Sequence, residues 1–338
     1  MVLENPRFFA LSECRDLAAR VGQYAGLELA PLEERRFEGG EFKLRPLESV
    51  RGRPAFVLQA LAATQDVSTA KRLVRLLFLL FGLRDAGASQ RVALVPYLAY
   101  ARKERRTQLR DPVNTRYVAQ LLEASGIDRL IALDVHNPAA LDNSFRIPVD
   151  HLTALPMMAE HFARRLKDSP LMVISPDVGG IKRAQLFREF LQRCVAREVE
   201  LAFIEKRRAQ DVVSSGALVG DGSDREVIVI DDLCATGGTL IRASEICHRA
   251  GARAVHVAVT HTPLASGLEA SRAAEHIVSI AITDSVGFDV IPRAAGSPDS
   301  KITVLSIAPL FGQALRRILA GKPLAPLLMR WPVALEEN

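Results

Sequence analysis

Two adjacent carboxylates, Asp231 and Asp232, follow the apolar run Val227-Ile-Val-Ile230 and lead into Leu-Cys-Ala-Thr-Gly-Gly-Thr239. The run predicts a buried strand, and the Thr-Gly-Gly-Thr turn predicts the start of a helix. Such a junction suits a phosphate. Gly237 and Gly238 let backbone N–H groups approach an anion, Thr236 and Thr239 add hydroxyl donors, and the helix N-terminus adds positive dipole. Asp231 and Asp232 can accept hydrogen bonds from vicinal hydroxyls, directly or through a divalent cation. Together these groups suit a sugar phosphate. No GxxxxGK[ST] stretch occurs, so a Walker A loop is excluded.

Four other stretches carry chemistry of a matching kind. Pro96-Tyr-Leu-Ala-Tyr-Ala-Arg-Lys-Glu-Arg-Arg106 offers Arg102, Arg105 and Arg106 as bidentate donors to phosphate. In Leu133-Asp-Val-His136, Asp134 and His136 are two apart, so in an extended strand they would face the same way. Val173-Ile-Ser-Pro-Asp-Val-Gly-Gly180 sets Asp177 at a strand-to-helix junction, where by itself it reads as an N-cap. The basic run in Ile204-Glu-Lys-Arg-Arg208, taken alone, reads as surface charge.

In this order, the segments resemble those of the ribose-phosphate pyrophosphokinases, the phosphoribosyl pyrophosphate synthetases. The likeness runs from about Phe37 to Arg317. The segment Ala235–Thr239 with Asp231 and Asp232 resembles that family's ribose 5-phosphate loop, a loop shared with phosphoribosyltransferases. Phe37-Glu-Gly-Gly-Glu41 is similar to the FxDGE stretch, which implies that Phe37 and Glu41 hold adenine, reaching in from a neighbouring subunit, with Gly39 between them in the ATP-binding set. The Pro96–Arg106 segment is similar to PYxxYARQDRR and implies ATP contacts from Arg102, Lys103, Glu104 and Arg106. The resemblance places His136 on the nucleotide triphosphate and, with Asp177 and Asp134, on Mg²⁺. It makes Lys206 and Arg208 the catalytic pair, clamping the transferring phosphoryl groups.

The implied reaction is transfer of the pyrophosphoryl group of ATP to the C1 hydroxyl of ribose 5-phosphate, giving 5-phosphoribosyl 1-pyrophosphate and AMP. A homo-oligomer is implied, with a dimer as building unit and a hexamer common in the family. The sequence departs from the family pattern at Gly39 (acid or amide), Lys103 (Gln), Glu104 (Asp), Ala235 (Asp) and Arg110–Arg116. Two alternatives stand beside the main reading: a catalytically silent paralogue and a phosphoribosyltransferase.

These loops need a scaffold. Short apolar runs predict strands at Phe56–Leu58, Arg91–Val95, Leu130–Leu133, Leu171–Ile174, Leu201–Ile204, Val227–Ile230 and Ala254–Val259. Helical spacing predicts helices at Thr69–Ala86, Thr115–Ser125, Pro156–Leu166, Gly179–Gln192 and Thr239–Ala250, with Gly126 and Gly251 as left-handed stops. The alternation predicts an α/β fold with mainly parallel sheets, and the resemblance makes it two phosphoribosyltransferase-type (Rossmann-like) domains. The 338 residues allow two domains, placed at 1–150 and 151–338, with a last helix near Leu310–Ile318 expected to pack on the first.

Composition narrows the function classes. Hydrophobic residues make up 49% and charged residues 25%, which excludes a disordered chain. A net charge of 44 − 39 = +5 permits anionic ligands without requiring a nucleic acid or a membrane surface. Cys14, Cys194, Cys234 and Cys247 form no CxxC pair and no metal-finger spacing. The apolar stretch Leu73–Leu83 is interrupted by Arg75 and is too short to cross a bilayer. With no basic patch and apolar run near the N-terminus, a cytoplasmic location is expected.

Overall fold

The computed structural model describes residues 5–64, 66–205, 208–209, 212–213, 216–287, 291 and 300–329. They fall into two compact units. One holds the described residues up to Thr153, with 285–287 and Ser306–Leu328. The other runs from Ala154 to Asp284, with 291, 300–305 and Met329.

In the first unit the elements are β1 (Arg7–Ala10), α1 (Arg15–Ala25), β2 (Leu32–Arg36), β3 (Phe42–Pro46), β4 (Pro54–Leu58), α2 (Thr69–Asp85), β5 (Gln90–Val95), α3 (Asn114–Ala124), β6 (Arg129–Leu133), α4 (Pro138–Ser144) and β7 (Val149–Leu152). Strands β1, β4, β5, β6 and β7 form one sheet in that order, every pair parallel. β2 and β3 form a separate antiparallel hairpin. Alternate strand residues Val57, Ala93, Val95, Leu130 and Ala132 share one apolar cluster with Leu76, Leu80 and Leu83 of α2 and Val118, Ala119 and Leu122 of α3. That is the period-2 face of a sheet meeting the 3.6-period stripe of helices.

Local chemistry sets the helix ends. The Ser68 hydroxyl accepts from Lys71 N at 3.2 Å and starts α2, and Asn137 with Pro138 starts α4. Gly126 follows α3 at φ +83°. Arg75, which interrupts the apolar stretch of α2, points inward, donating to Glu13 and Glu34.

The second unit contains α5 (Leu155–Arg165), β8 (Leu171–Ser175), α6 (Ile181–Val195), β9 (Glu200–Glu205), the two-residue strands β10 (Arg208–Ala209) and β11 (Val212–Val213), β12 (Ala217–Val219), β13 (Glu226–Leu233), α7 (Gly238–Arg249), β14 (Ala254–His261), α8 (Ala265–Ala273), β15 (Ile277–Thr283) and β16 (Ile302–Leu305). Its main sheet has the order β12-β9-β8-β13-β14-β15-β16 and is parallel except at the β12 edge. The fully buried run Val227–Val229 identifies β13 as a central strand, covered on both faces.

The last helix, α9 (Ala308–Leu319), belongs to the first unit and packs against α1. A Cβ on Gly312 would stand 2.8 Å from the Val21 carbonyl oxygen, so glycine is what permits this close crossing. No helix among the described residues is long and apolar enough to cross a membrane.

Candidate active site

The order of strands places the sugar-phosphate loop. β13 lies between β8 and β14, and Asp231 and Asp232 are at its C-terminal end. β8 delivers Asp177 at its own C-terminal end, beside the start of α6. C-terminal strand ends are where parallel α/β sheets bind ligands.

α7 begins as the Thr-Gly-Gly-Thr turn predicts. Gly237 is its N-cap at φ +80°, and no side chain caps the first turn. The leading N–H groups of an α-helix have no partner within the helix. Here they rise from a glycine turn, with Thr236 exposed and Thr239 half-buried beside them. An anion can be held there by backbone donors and hydroxyls together.

The two carboxylates are not equivalent. Asp232 is buried, and its Oδ1 accepts from Arg183 Nη1 at 2.9 Å. Asp231 Oδ1 lies 3.8 Å from the same Arg183 nitrogen and accepts from Asp232 N at 2.9 Å. Two carboxylates thus share one guanidinium, an arrangement that suits hydroxyl donors or a cation. Burial, followed by the neighbouring Asp232 charge, pushes the Asp231 carboxyl up to about 8, against the pull of Arg183. Arg183 follows the Asp177 segment by sequence, but nothing in the sequence pairs it with position 232.

This upward shift fixes a sign for pH. A carboxyl that stays protonated longer in the folded than in the unfolded chain adds stability at low pH. That stability is lost as pH rises through the folded value, here about 8. We predict that Asp231→Asn melts close to the wild type at pH 4 and above it at pH 8.5. The gap should be at least about 3 °C, for a relief of about 1 kcal/mol or more. Thermal melts without divalent cation measure this, and a gap that shrinks toward pH 8.5 would refute it.

Asp177 Oδ1 accepts from Gly180 N at 3.2 Å, so the N-cap is real. Lys206 lies outside the described residues. Arg208 is in the short strand β10, paired with β11, and only its backbone is described.

The nucleotide candidates are in the first unit. Phe37, Gly39 and Glu41 are at the tip of the β2–β3 hairpin, all exposed, with Phe37 N donating to Glu41 O at 2.9 Å. The Phe37 ring has the Arg35 guanidinium 5.0 Å from its centroid. Gly39 adopts φ +81°, a conformation that glycine takes freely and that Asn and Asp tolerate better than other side chains. That shared tolerance accounts for glycine standing where the resembling family has an acid or amide.

The Pro96–Arg106 stretch leaves β5 as an irregular loop. Arg102, Lys103 and Arg106 are exposed and Glu104 is half-buried. The loop is held by backbone bonds from Lys103 N to Tyr100 O at 3.3 Å and from Thr115 N to Lys103 O at 3.4 Å. Farther along, the Asp111 carboxylate accepts from Thr107 N, Thr107 Oγ1 and Gln108 N, and these bonds hold it well below the usual carboxylate range. Arg102 makes no side-chain hydrogen bond or ion pair among the described residues and is available to an anion.

One expectation needs correction. Asp134 and His136 do not share a strand face. β6 ends at Leu133, and Asp134 turns to φ +36°, which breaks the period-2 alternation. Asp134 is buried and accepts from Thr153 Oγ1 at 2.6 Å, while His136 is exposed. Asp134 joins the ends of β6 and β7; His136 faces solvent.

Among the described residues no group of three or more His, Cys, Asp or Glu side chains converges as a metal cage. Mg²⁺ carried by a phosphorylated substrate needs less, since it keeps several waters and takes one or two protein carboxylates. Half-buried Asp177 and exposed His136 are each able to serve an ion of that kind.

Comparison with known proteins gives the family. A model of the N-terminal domain of ribose phosphate pyrophosphokinase matches residues 7–126, and one of the phosphoribosyl transferase domain matches residues 153–291. Ribose-phosphate pyrophosphokinase 1 of Streptococcus pneumoniae is 35% identical over 331 residues, 97% of this chain and 98% of its own. The protein of the same name from Streptococcus pyogenes serotype M1 is 34% identical over the same shares. The crystal structure of phosphoribosylpyrophosphate synthetase from Mycobacterium smegmatis aligns with a TM-score of 0.83 at 29% identity, covering 94% of this chain and 100% of that one. With two domain models in order and a relative matched almost end to end, the chain belongs to the ribose-phosphate pyrophosphokinase family.

Proposed function

We propose that the chain transfers the pyrophosphoryl group of ATP to the C1 hydroxyl of ribose 5-phosphate, forming 5-phosphoribosyl 1-pyrophosphate and AMP. The observation that carries this reading is the glycine-capped start of α7, directly after the paired carboxylates of β13, in a chain of this family. The 5-phosphate is assigned to the backbone and hydroxyl donors of 235–239. Asp231 and Asp232 receive the ribose hydroxyls. ATP is assigned to Phe37, Gly39 and Glu41 on the base side and to Arg102, Lys103, Glu104, Arg106 and His136 on the phosphate side.

The anomeric oxygen attacks the β-phosphorus. One P–O bond forms, the bond to the α-phosphate oxygen breaks, and AMP leaves. The protein's part is positioning and charge. Lys206 and Arg208 are assigned to the phosphoryl oxygens, where charge moves in the transition state. Asp177 and His136 are the residues assigned to Mg²⁺, which would neutralise phosphate charge when bound; Asp134 ties the end of β6 to the end of β7 through Thr153. The protein is expected to act as a cytoplasmic homo-oligomer built from dimers.

The test is an AMP-forming assay with ribose 5-phosphate, ATP and Mg²⁺. We expect robust turnover that falls about 100-fold or more in Lys206→Ala, the scale of losing a transition-state donor. Absent turnover with both substrates still binding by calorimetry would replace this reading with the silent paralogue. Absent binding of either would remove the site assignment.

A further inference from the structure

At the opposite end of the same sheet, three side chains from three adjacent strands form a connected row. His256 of β14 has Nδ1 at 2.7 Å from Ser279 Oγ of β15 and Nε2 at 2.8 Å from Glu226 Oε2 of β13. Glu226 is the first residue of β13, whereas Asp231 lies five residues on, about 16 Å away along an extended strand. The row is thus remote from the sugar-phosphate loop.

The alignment of Ser279 with His256 depends on an irregularity. β14 and β15 pair Val255 with Ile277 and then His256 with Ser279, so Val278 is an extra residue bulged out of the ladder. In unbroken register Val278 would oppose His256. A bulge re-aims the side chain that follows it. Here it brings a hydroxyl to the imidazole and leaves Val278 exposed.

The row has the polarity of an activated serine. A carboxylate only accepts, so Glu226 holds the ring proton on Nε2 and leaves the Nδ1 lone pair facing the Ser279 hydroxyl. His256 is buried, with the Phe162 ring 6.0 Å away centroid to centroid, while Ser279 is half-buried. Burial also lowers the His256 pKa and so favours the neutral ring, against the opposing pull of Glu226. Nucleophile, base and orienting acid within hydrogen-bond reach are the geometric signature of covalent catalysis.

We propose that Ser279 is an acyl-acceptor site, activated by His256 and oriented by Glu226, that reacts with small activated carboxylic esters. Ser279 Oγ forms a bond to the carbonyl carbon as its proton passes to His256 Nδ1. The bond to the leaving oxygen breaks, and that oxygen takes the proton from His256. The product is an acyl-serine; no oxidant or further reactant is consumed.

The test uses p-nitrophenyl acetate with the full-length protein, followed by peptide mass mapping. We expect about one equivalent of p-nitrophenolate per chain, and the acetyl group on Ser279. Ser279→Ala should abolish the label, and Glu226→Gln and His256→Gln should each slow it by about 100-fold, the scale of general-base assistance. All three variants should keep the wild-type rate of AMP formation, which shows that they fold. Acetyl absent from Ser279, or a rate unchanged in Glu226→Gln, overturns the proposal and leaves the row a structural tie between strands. If His256→Gln fails to fold, Glu226→Gln decides alone.

Discussion

Gly267→Ala lowers kcat/KM for ribose 5-phosphate about 100-fold, the expected cost of moving reacting groups by about 1 Å. Gly267 lies in α8, well beyond the sugar-phosphate loop in sequence, and is no part of that motif. A Cβ there would stand 2.6 Å from the Ala235 carbonyl carbon and 3.0 Å from Thr236 N, and nearer still to the Ala235 oxygen. All three are backbone atoms of the loop, so no rotamer change relieves the clash. The contact is reciprocal: a Cβ on Gly237 would meet Gly267 O at 2.7 Å and Ser271 Oγ at 2.8 Å. The loop therefore rests on the bare side of α8, with Cys234 Sγ and Ser271 Oγ touching at 3.6 Å. The methyl group must shift the loop or the helix. The KM for ATP should stay near the wild-type value, because the ATP residues are assigned to the other unit. Overpacking also costs about 1–3 kcal/mol, read in a melt. A Gly267→Ala protein with wild-type kcat/KM for ribose 5-phosphate would show that the loop does not lean on α8.

What could be read from the sequence follows the range of each physical signal. The strands at 56–58, 91–95 and 227–230 announced themselves because buried parallel strands are runs of apolar residues. The start of α7 was legible because a turn with positive φ needs glycine, and Gly237 supplies it at the required position. The β2–β3 hairpin was not legible as strands: Leu32-Glu-Glu-Arg-Arg36 is mostly charged and carries no apolar alternation. α8 carries little apolar signal for a related reason, since Leu268 is its one large buried apolar residue, beside Gly267 and Ser271. Asp134 misled because two-residue spacing predicts a shared face only while the strand continues, and the backbone turns at that residue. Arg183 and Gly267 lie 49 and 32 positions from their partners Asp232 and Ala235, a separation at which local patterns carry no pairing information.

Arg183→Ala is expected to be the most destabilising single change at the site. It removes the guanidinium from a carboxylate, Asp232, whose side chain is 7% exposed, while the Arg183 side chain is itself 15% exposed. Removing one of the groups that compensate a buried carboxylate costs up to about 3–5 kcal/mol, which lowers the melting temperature by up to roughly 6–15 °C. The loss should exceed that of a surface pair such as Arg253 with Asp224, for which little change is expected. Arg183→Lys keeps the charge but not the planar fork and should recover part of the stability. The double variant Arg183→Met with Asp232→Asn separates folding from binding. With neither charge left to desolvate, it should melt well above Arg183→Ala, by at least about 2 kcal/mol of coupling. Its affinity for ribose 5-phosphate should remain poor, because one of the two carboxylates assigned to the ribose hydroxyls is gone. Melting curves and calorimetric titration of the four proteins measure both quantities. If Arg183→Ala melts within a degree of the wild type, the other contacts of Asp232 suffice to compensate its charge. The reading of Arg183 as the residue that holds the carboxylate pair in place is then wrong.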